Sequence, residues 1–411
     1  MSSWRQVSLG DACGKITDGT HHSPETFQDR AANRFLYLTS KNVRDSGLDL
    51  TTISYVSAEA HREIYSRCNV QLHDVLLTKD GAGTGNCCIN TLAEPFSLLS
   101  SVCVLRPNGR LLDARYLVYF LQSDAGREQI IGQMTGAAIK RIILRTIKQA
   151  TIPLPPIEEQ RRIVAVLDEA FAAIATAIFN AEKNLANARE LFEAELADVF
   201  GSDRIGWEGL KLGTQLSVQS GFAFRSSDYV DDGHLLVRIG NVQSGHLTLK
   251  NPKYVSLDSK TAKFALQEGD ILTSLTGDIG RVATVHESHL PAALNQRVAR
   301  LIPSPKSNVS REFLLLFLRS DFFRLQLESK GHGAAQLNVS PKEIAEVEFH
   351  APDEATQREI LSRLTIVEDA VTALSAIYEE KQSKLLELKQ ALLHRAFTTK
   401  ITAAKPEALA A

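Results

Sequence analysis

Two long stretches of the chain carry apolar residues at alternating intervals of three and four, which is typical of a helix with one apolar face. Residues 158–200 and residues 354–398 contain neither proline nor glycine, so each stretch predicts one uninterrupted helix. The apolar positions are Ile163, Leu167, Ala170, Ile174, Ala177, Ala181, Ala188 and Phe192 in the first stretch, and Ile360, Leu364, Val367, Val371, Leu374, Tyr378, Leu385, Leu388 and Leu392 in the second. Such a heptad-like stripe predicts a coiled coil, and two such helices in one chain can pair antiparallel.

The residues before each long helix predict a mixed domain of short strands and helices. Apolar runs between glycine-rich turns predict strands at 35–39, 74–78, 101–105 and 270–274. Helices are predicted in pairs, at 114–122 and 124–134 and again at 311–319 and 321–330. Ser123 and Ser320 stand where N-caps are expected, and Ser340 opens a capping box that Glu343 completes. The pattern indicates the α+β class.

The second half of the chain repeats the first. From residue 120 to residue 200 the two copies keep one offset of 197 residues, so that Gln160-Arg161 aligns with Gln357-Arg358. A chance alignment does not hold a single offset over such a length, and a repeat of this kind predicts two similar domains. The predicted division is a domain at 1–152, a spacer helix at 153–202, a second domain at 203–352, a second spacer helix at 353–400 and a disordered tail at 401–411.

Composition and charge narrow the class of protein. The chain has 411 residues, 44% of them hydrophobic, as in an ordinary globular protein. It opens without the apolar core of a signal peptide, and no unbroken apolar run approaches the ~18 residues of a membrane span, so we expect a cytoplasmic protein. The net charge is −2, and any surface that binds nucleic acid must therefore be local.

Cysteine and histidine do not predict a metal site. The chain has five cysteines without a C-x-x-C pair, which favours buried reduced thiols over a disulfide framework or a zinc site. The histidines show no ligand spacing. We therefore expect no metal and no cofactor of the chain's own.

Two segments superficially resemble parts of enzymes. The glycine-rich run 81–85 follows a predicted strand, but a nucleotide-binding turn requires a helix next, and the following residues are β-like. The run 251–254, Asn-Pro-Lys-Tyr, resembles the Asn-Pro-Pro-Tyr motif of amino-methyltransferases, with Lys253 in place of the second proline. We interpret both segments as loops. No ATP-binding motif of the G-x-x-x-x-G-K-[ST] type is present.

The segment before the first long helix carries a family signature. Residues 152–163 read Ile-Pro-Leu-Pro-Pro-Ile-Glu-Glu-Gln-Arg-Arg-Ile, and residues 350–360 are a weaker copy. These segments, with Leu-Glu-Leu-Lys-Gln-Ala-Leu-Leu at 386–393, resemble the specificity subunits of type I restriction–modification enzymes. The order of domain, helix, domain, helix extends the resemblance over the whole chain.

The resemblance implies two target recognition domains, each reading half of a split site in double-stranded DNA. It also implies that the helices pair antiparallel and dock two modification subunits, which carry AdoMet and the methyl-transfer chemistry. Restriction subunits with helicase and nuclease activity then join the complex. On this interpretation the chain is a DNA-binding subunit without catalytic residues, and it does not contact a membrane.

Base reading requires polar side chains in loops, and phosphate contact requires cations. The candidates in the first copy are Lys41, Asn42, Arg44, Lys79, Lys140, Arg141 and Arg145. Those in the second copy are Arg238, Asn241, Arg281, Arg297, Gln336 and Asn338. Because the loops differ between the copies while their flanks match, we expect the copies to read different half-sites.

Two other functions stay open at this point. One is a self-contained DNA methyltransferase with unusual motifs, which binding of labelled AdoMet to the purified chain would favour. The other is a coiled-coil scaffold that does not contact DNA, which a gel-shift with random-sequence DNA would test.

Overall fold

A computed structural model describes residues 4–81, 83–132, 141–201, 206–333 and 336–398. Contacts divide the chain into two compact units. Unit 1 comprises residues 1–181 and 379–411, and unit 2 comprises residues 182–378. This division falls within the long helices, and the five-part division made from the sequence stays a prediction.

Unit 1 is built on antiparallel and mixed sheets. One sheet has the order Cys13–Asp18, Val102–Pro107, Val75–Thr78 and Cys87–Ile89. Another has the order Ser54–Ser57, Arg34–Leu38 and Ser97–Leu98, with the last two strands parallel. Short pairs join Gln6–Ser8 to Thr151–Pro153 and Val43–Arg44 to Gly47–Leu48. The shorter helices are Leu9–Ala12, Ala58–Arg67, Ala114–Gln122, Asp124–Ile131 and Leu144–Gln149.

Unit 2 repeats this plan. Its main antiparallel sheet has the order Leu216–Ser220, Val298–Pro303, Ile271–Ser274 and Val282–Thr284. The mixed sheet has the order Tyr229–Val230, Tyr254–Val255, His234–Val237, Ala292–Leu294 and Ala265–Leu266, and Glu208–Lys211 pairs with Glu348–Ala351. The shorter helices are Leu212–Gln215, Arg311–Arg319, Asp321–Lys330 and Pro341–Ala345. The short 3-10 turns are Ser40–Asn42 in unit 1 and Ser226–Asp228, Ile239–Asn241, Ala262–Phe264 and Glu287–His289 in unit 2.

The local predictions agree with these bounds. Ser123 accepts a hydrogen bond from the Gly126 N–H and Ser320 accepts one from the Phe323 N–H, so both serines cap their helices. Ser340 and Glu343 form the capping box. The mixed α+β fold with two similar domains and two long helices is confirmed.

The long helices run over Ile157–Phe200 and Glu354–Thr398. Within unit 1, Ile163 and Leu167 pack in one core with Leu393, and the Lys389 ammonium lies 5.2 Å from the Phe171 ring centroid. The N-terminal part of the first helix therefore packs against the C-terminal part of the second, as an antiparallel pair requires.

Unit 2 contains the same kind of pairing. Leu196 shares a core with Leu364, and the Arg363 guanidinium lies 3.4 Å from a carboxylate oxygen of Glu195. The predicted stripe in the second helix is wrong at Leu374 and Leu388, which are 39% and 47% exposed. The alternation of three and four places Ser375 and Lys389 on the packed face instead, one position later.

An equivalent glutamine in each copy links the long helix to its own domain by hydrogen bonds. The side-chain oxygen of Gln160 accepts a hydrogen bond from the Asp113 N–H, and its amide donates to the carbonyls of Leu111 and Pro155, at 2.8 to 2.9 Å. Gln357 accepts from the Ser310 N–H and donates to the carbonyls of Asn308 and Pro352. Both glutamines are fully buried. Every partner in unit 2 lies 197 residues after its counterpart, so the sequence repeat preserves this joint.

The helix Ile157–Phe200 contains an 18-residue window that is apolar enough to cross a membrane by length and composition. The window was not predicted from the sequence because polar residues interrupt its apolar runs. Only 17% of this window is buried, and one such helix by length and composition alone also occurs in proteins that do not span a membrane. The finding is therefore weak evidence for a membrane span.

Candidate nucleic-acid interface

The loops of unit 2 that carry the predicted DNA-binding residues are tied together. Thr276 and Asn338 form an antiparallel bridge, which joins the turn after Ile271–Ser274 to the loop that carries Gln336. The Arg281 guanidinium lies 3.3 Å from the Ile239 carbonyl oxygen and 3.3 Å from the Gln243 side-chain oxygen. These contacts bring predicted residues from three distant segments onto one surface.

A cavity of about 480 Å³ opens on this surface. The lining residues comprise cations, amides and aromatic rings, and the predicted Arg238, Asn241 and Arg297 are among them. The lining also contains residues that were not predicted from the sequence, namely the polar Lys250, Asn251, Asn295 and Gln296 and the rings of Phe224 and Tyr229. Such a mixture of positive charge, amide groups and aromatic faces suits nucleic acid, because cations attract phosphate and amides pair with base edges.

Two arginines at this surface retain an unused donor. The Arg238 Nη2 donates to the Asn251 carbonyl at 2.5 Å, but its Nε is buried and has no partner in the described structure. The Arg281 Nε is likewise buried and has no partner in the described structure. A buried donor without a partner costs free energy, so a bound group that accepts from it would regain that free energy.

Asn42 and Asn241 are used inside the fold. Each side-chain oxygen accepts a hydrogen bond from the backbone N–H three residues earlier, Thr39 or Arg238, at 3.0 Å. Each side-chain amide donates to the backbone carbonyl seven residues later, Asp49 or Thr248, at 2.9 Å. Both residues are buried. Because both copies use the asparagine in these two hydrogen bonds, it holds the loop in shape, and we do not expect it to distinguish the half-sites.

Lys79 is also engaged within unit 1. Its ammonium lies 2.6 Å from Asp18, which accepts a second ion pair from Arg67 at 2.8 Å. Lys79 is 8% exposed and Asp18 is 1% exposed. Burial alone would raise the pKa of Asp18, but the hydrogen bond and charge of Lys79, with the charges of His21 and Arg67, lower that pKa below its ordinary value. The geometry gives Lys79 a structural partner, and its predicted DNA contact stays untested.

The remaining candidates in unit 1 are at the surface. Lys41 and Arg145 are exposed, and Arg44 lies 3.8 Å from Asp49. The Arg141 guanidinium is 63% exposed and lies 4.0 Å from the Asp80 carboxylate. Lys140 lies outside the described residues. In unit 2, Gln336 and Asn338 are exposed, and the Asn338 amide donates to the Gln336 carbonyl.

Matched positions of the two units carry different chemistry. We call two residues matched when the same backbone hydrogen bonds place them at the same point of each unit. The Ser100 N–H donates to the Thr20 carbonyl as the Gln296 N–H donates to the Phe222 carbonyl, which matches Ser100 with Gln296. By the same criterion, the cavity residues Arg238, Asn295 and Arg297 match Thr39, Leu99 and Ser101 in unit 1.

The other candidate chemistries find no support in the described residues. No group of His, Cys, Asp and Glu side chains there could hold a metal ion. The glycine-rich turn leads into the strand Cys87–Ile89, not into a helix. Burial raises the pKa of Cys13, Cys68 and Cys88 to about 12, so these thiols stay protonated at neutral pH.

Comparison with known proteins identifies the family. The family described as "Type I restriction modification DNA specificity domain" matches residues 1–185 and again residues 205–382. The chain belongs to this family of DNA specificity domains. The repeat found in the sequence therefore corresponds to two copies of the specificity domain, and the predicted resemblance is confirmed. The function class is that of a specificity subunit of type I restriction–modification systems with two recognition domains.

Relatives of this specificity subunit match over nearly the full length. The type I restriction enzyme MjaVIII specificity subunit of Methanocaldococcus jannaschii is 24% identical, over 97% of this chain and 93% of the relative. The EcoBI specificity subunit of Escherichia coli is 22% identical, over 98% and 87%.

Solved structures share the fold of the specificity subunit. A chain from a study of complex assembly and conformational transition in a type I R-M system has a TM-score of 0.72, with 22% identity, over 96% of this chain and 97% of that one. The HsdS subunit of Thermoanaerobacter tengcongensis has a TM-score of 0.52, with 22% identity, over 96% of both chains.

Proposed function

We propose that the chain binds a bipartite, asymmetric site in double-stranded DNA and that each unit reads one half-site. The observation that carries this proposal is the cavity of unit 2, where Arg238, Asn295 and Arg297 replace the Thr39, Leu99 and Ser101 of unit 1. One scaffold with two different sets of reading groups suits two different half-sites.

The proposed contacts rest on side chains that are exposed or half-buried. In unit 2 they are Arg238, Lys250, Asn295, Gln296, Arg297, Gln336 and Asn338. In unit 1 they are Lys41, Arg44, Arg141 and Arg145, with Lys140 carried over from the sequence prediction. Asn42, Lys79 and Asn241 support the loops from within, and Arg281 joins two of them.

The proposal includes the partners of the complex. The chain docks two modification subunits, which methylate DNA, and restriction subunits with helicase and nuclease activity. Its own role is non-catalytic and cytoplasmic. Names of relatives as specificity subunits of restriction enzymes support this assignment.

Substitution of Arg297 tests the reading of the second half-site. We expect Arg297→Ala to weaken specific binding by about 1–3 kcal/mol if the guanidinium reads a base, or to lower the salt slope by about one unit if it contacts phosphate. Either change should concern only the half-site read by unit 2. The measurement is binding to the mapped site at several salt concentrations, with base changes in each half.

Arg358→Ala is the matched control, since Arg358 is an exposed arginine of unit 2 on the second long helix. Its binding should equal that of the unaltered chain. If Arg297→Ala altered base preference equally in both half-sites, the two units would not be separate readers.

A second prediction concerns catalysis. The chain incubated alone with labelled AdoMet and DNA should incorporate no label, because the glycine-rich turn lacks the helix that would receive the cofactor. Addition of the partner modification subunits should restore methylation. Label transferred by the isolated chain above the level of a DNA-only control would favour the self-contained methyltransferase instead.

A further inference from the structure

Phe222 is an exposed aromatic side chain at the rim of the cavity in unit 2. It is 39% exposed, and its backbone forms a parallel bridge with Asn295. Its ring centroid lies 4.9 Å from that of Phe224, which lines the cavity, and 5.5 Å from that of Phe264. The Phe222 ring therefore packs against two other aromatic rings at the edge of a polar cavity.

The position of Phe222 is fixed by its backbone. The Phe222 N–H donates to the Leu294 carbonyl at 3.0 Å, and its carbonyl accepts from the Gln296 N–H at 2.9 Å. A Cβ atom at the preceding Gly221 would lie 2.2 Å from the Asn295 carbonyl oxygen, so only glycine permits this close approach. A ring held in this way enters a binding partner without losing backbone freedom on association.

The surroundings define what the ring meets. Arg238, Lys250 and Arg297 line the adjacent cavity, and these cations attract a polyanion. Asn295 and Gln296, which contact Phe222 through their backbones, add amide side chains to the lining of the same cavity. An apolar side chain among phosphate-binding cations and base-reading amides is the arrangement with which proteins enter a base step and unstack it.

Unit 1 does not have this feature at the matched position. Thr20 stands there, since its N–H donates to the Leu98 carbonyl, its carbonyl accepts from the Ser100 N–H, and it is bridged to Leu99. Its hydroxyl interacts with the backbone of His22. Gly19 keeps the same close approach as Gly221. The scaffold is therefore common to both units, and the ring belongs to unit 2.

We infer that Phe222 inserts into the base stack at one step of the half-site read by unit 2, and that unit 1 inserts no side chain into the half-site that it reads. This inference rests on the proposed binding of DNA. Flexible pyrimidine–purine steps open at the lowest cost, so such a step is expected at the inserted position. The amides of Asn295 and Gln296 then face the opened base edges.

The experiment uses the full specificity subunit with its modification subunits and a duplex of the mapped site. The fluorescent base 2-aminopurine replaces each base of one half-site in turn, because its emission rises when it loses stacking. The modification subunits themselves flip out the base that they methylate, so a rise at that base in each half-site is set aside. At the other bases we expect a several-fold rise at one step in the half-site of unit 2 and none in the other half-site. Phe222→Ala should abolish the rise and weaken binding between about fivefold and a hundredfold.

Two further variants keep the test decisive. Phe222→Leu keeps an apolar wedge and should retain part of the fluorescence rise, and Thr20→Ala should change neither signal. Because phenylalanine carries no charge, Phe222→Ala should leave the salt slope unchanged, whereas loss of the whole unit from DNA would lower it. Outside the methylated bases, specific binding by the unaltered complex without any rise, or a rise that persists in Phe222→Ala, would overturn the inference. Absence of specific binding altogether would instead contradict the proposed function.

Discussion

Asp18→Ala is expected to lower the free energy of unfolding by about 3–5 kcal/mol, because it leaves a buried ammonium without a counter-charge. The Lys79 side chain is held by Asp18 at 2.6 Å under the loop that follows Val75–Thr78. Removing one partner of a buried ion pair costs more than the pair itself contributes, since the remaining charge stays desolvated. Urea unfolding followed by circular dichroism measures the loss.

The second unit supplies the control. Ser220 and Leu275 are matched with Asp18 and Lys79, so unit 2 fills the same place without charge. The double variant Asp18→Ser with Lys79→Leu should therefore recover most of the stability that Asp18→Ala loses, as apolar replacements of buried ion pairs commonly do. If Lys79→Leu alone left stability unchanged and weakened DNA binding, the lysine would be the phosphate contact that the sequence predicted.

The ion pair also sets a pH dependence. The pKa of Asp18 is lower in the folded chain than its ordinary value of about 3.9, so the pair stabilises the fold above that pH. The contribution disappears as the pH falls through the folded pKa. The difference in stability between the unaltered chain and the Asp18→Ser, Lys79→Leu variant should accordingly shrink only below about pH 4.

Gln160→Ala and Gln357→Ala are each expected to cost about 2–4 kcal/mol. Each substitution leaves one backbone N–H and two carbonyls without their partner at a buried joint. Gln160→Met and Gln357→Met separate packing from hydrogen bonding, because methionine keeps the volume and removes the amide. The methionine variants should lose most of the same stability. If chemical unfolding gave these variants the same free energy of unfolding as the unaltered chain, the side-chain amides would not stabilise the contact between helix and domain.

The sequence was informative where local rules and the repeat decide the structure. The long helices, the caps at Ser123 and Ser320 and the box at Ser340 follow from spacing and side-chain chemistry within a few residues. Leu374 and Leu388 were placed on the packed face because leucine is apolar. Packing instead followed the alternation of three and four, which uses Ser375 and the aliphatic stem of Lys389.

The site was harder to predict because its residues are defined by distant partners. Nothing near Lys79 in the sequence indicates that Asp18 lies beside it. Asn42 resembles a residue that contacts bases until its backbone partners are known. Lys250, Asn295 and Gln296 were missed because they lie outside the loops that the repeat aligned. An alignment of the two copies by their strand pairing, and not by a constant sequence offset, would have brought these positions together.

The composition of unit 1 has a consequence for synthesis. Its core includes Leu393, Ala396 and Phe397, and the Phe397 ring lies 5.1 and 5.4 Å from those of Tyr116 and Phe120. Unit 2 is one continuous stretch, residues 182–378, and is complete before these residues leave the ribosome. Domains generally fold as units as the chain emerges. The core of unit 1 therefore closes only after unit 2 has emerged, and a nascent chain carries an open apolar face on unit 1 until residues 393–397 are available.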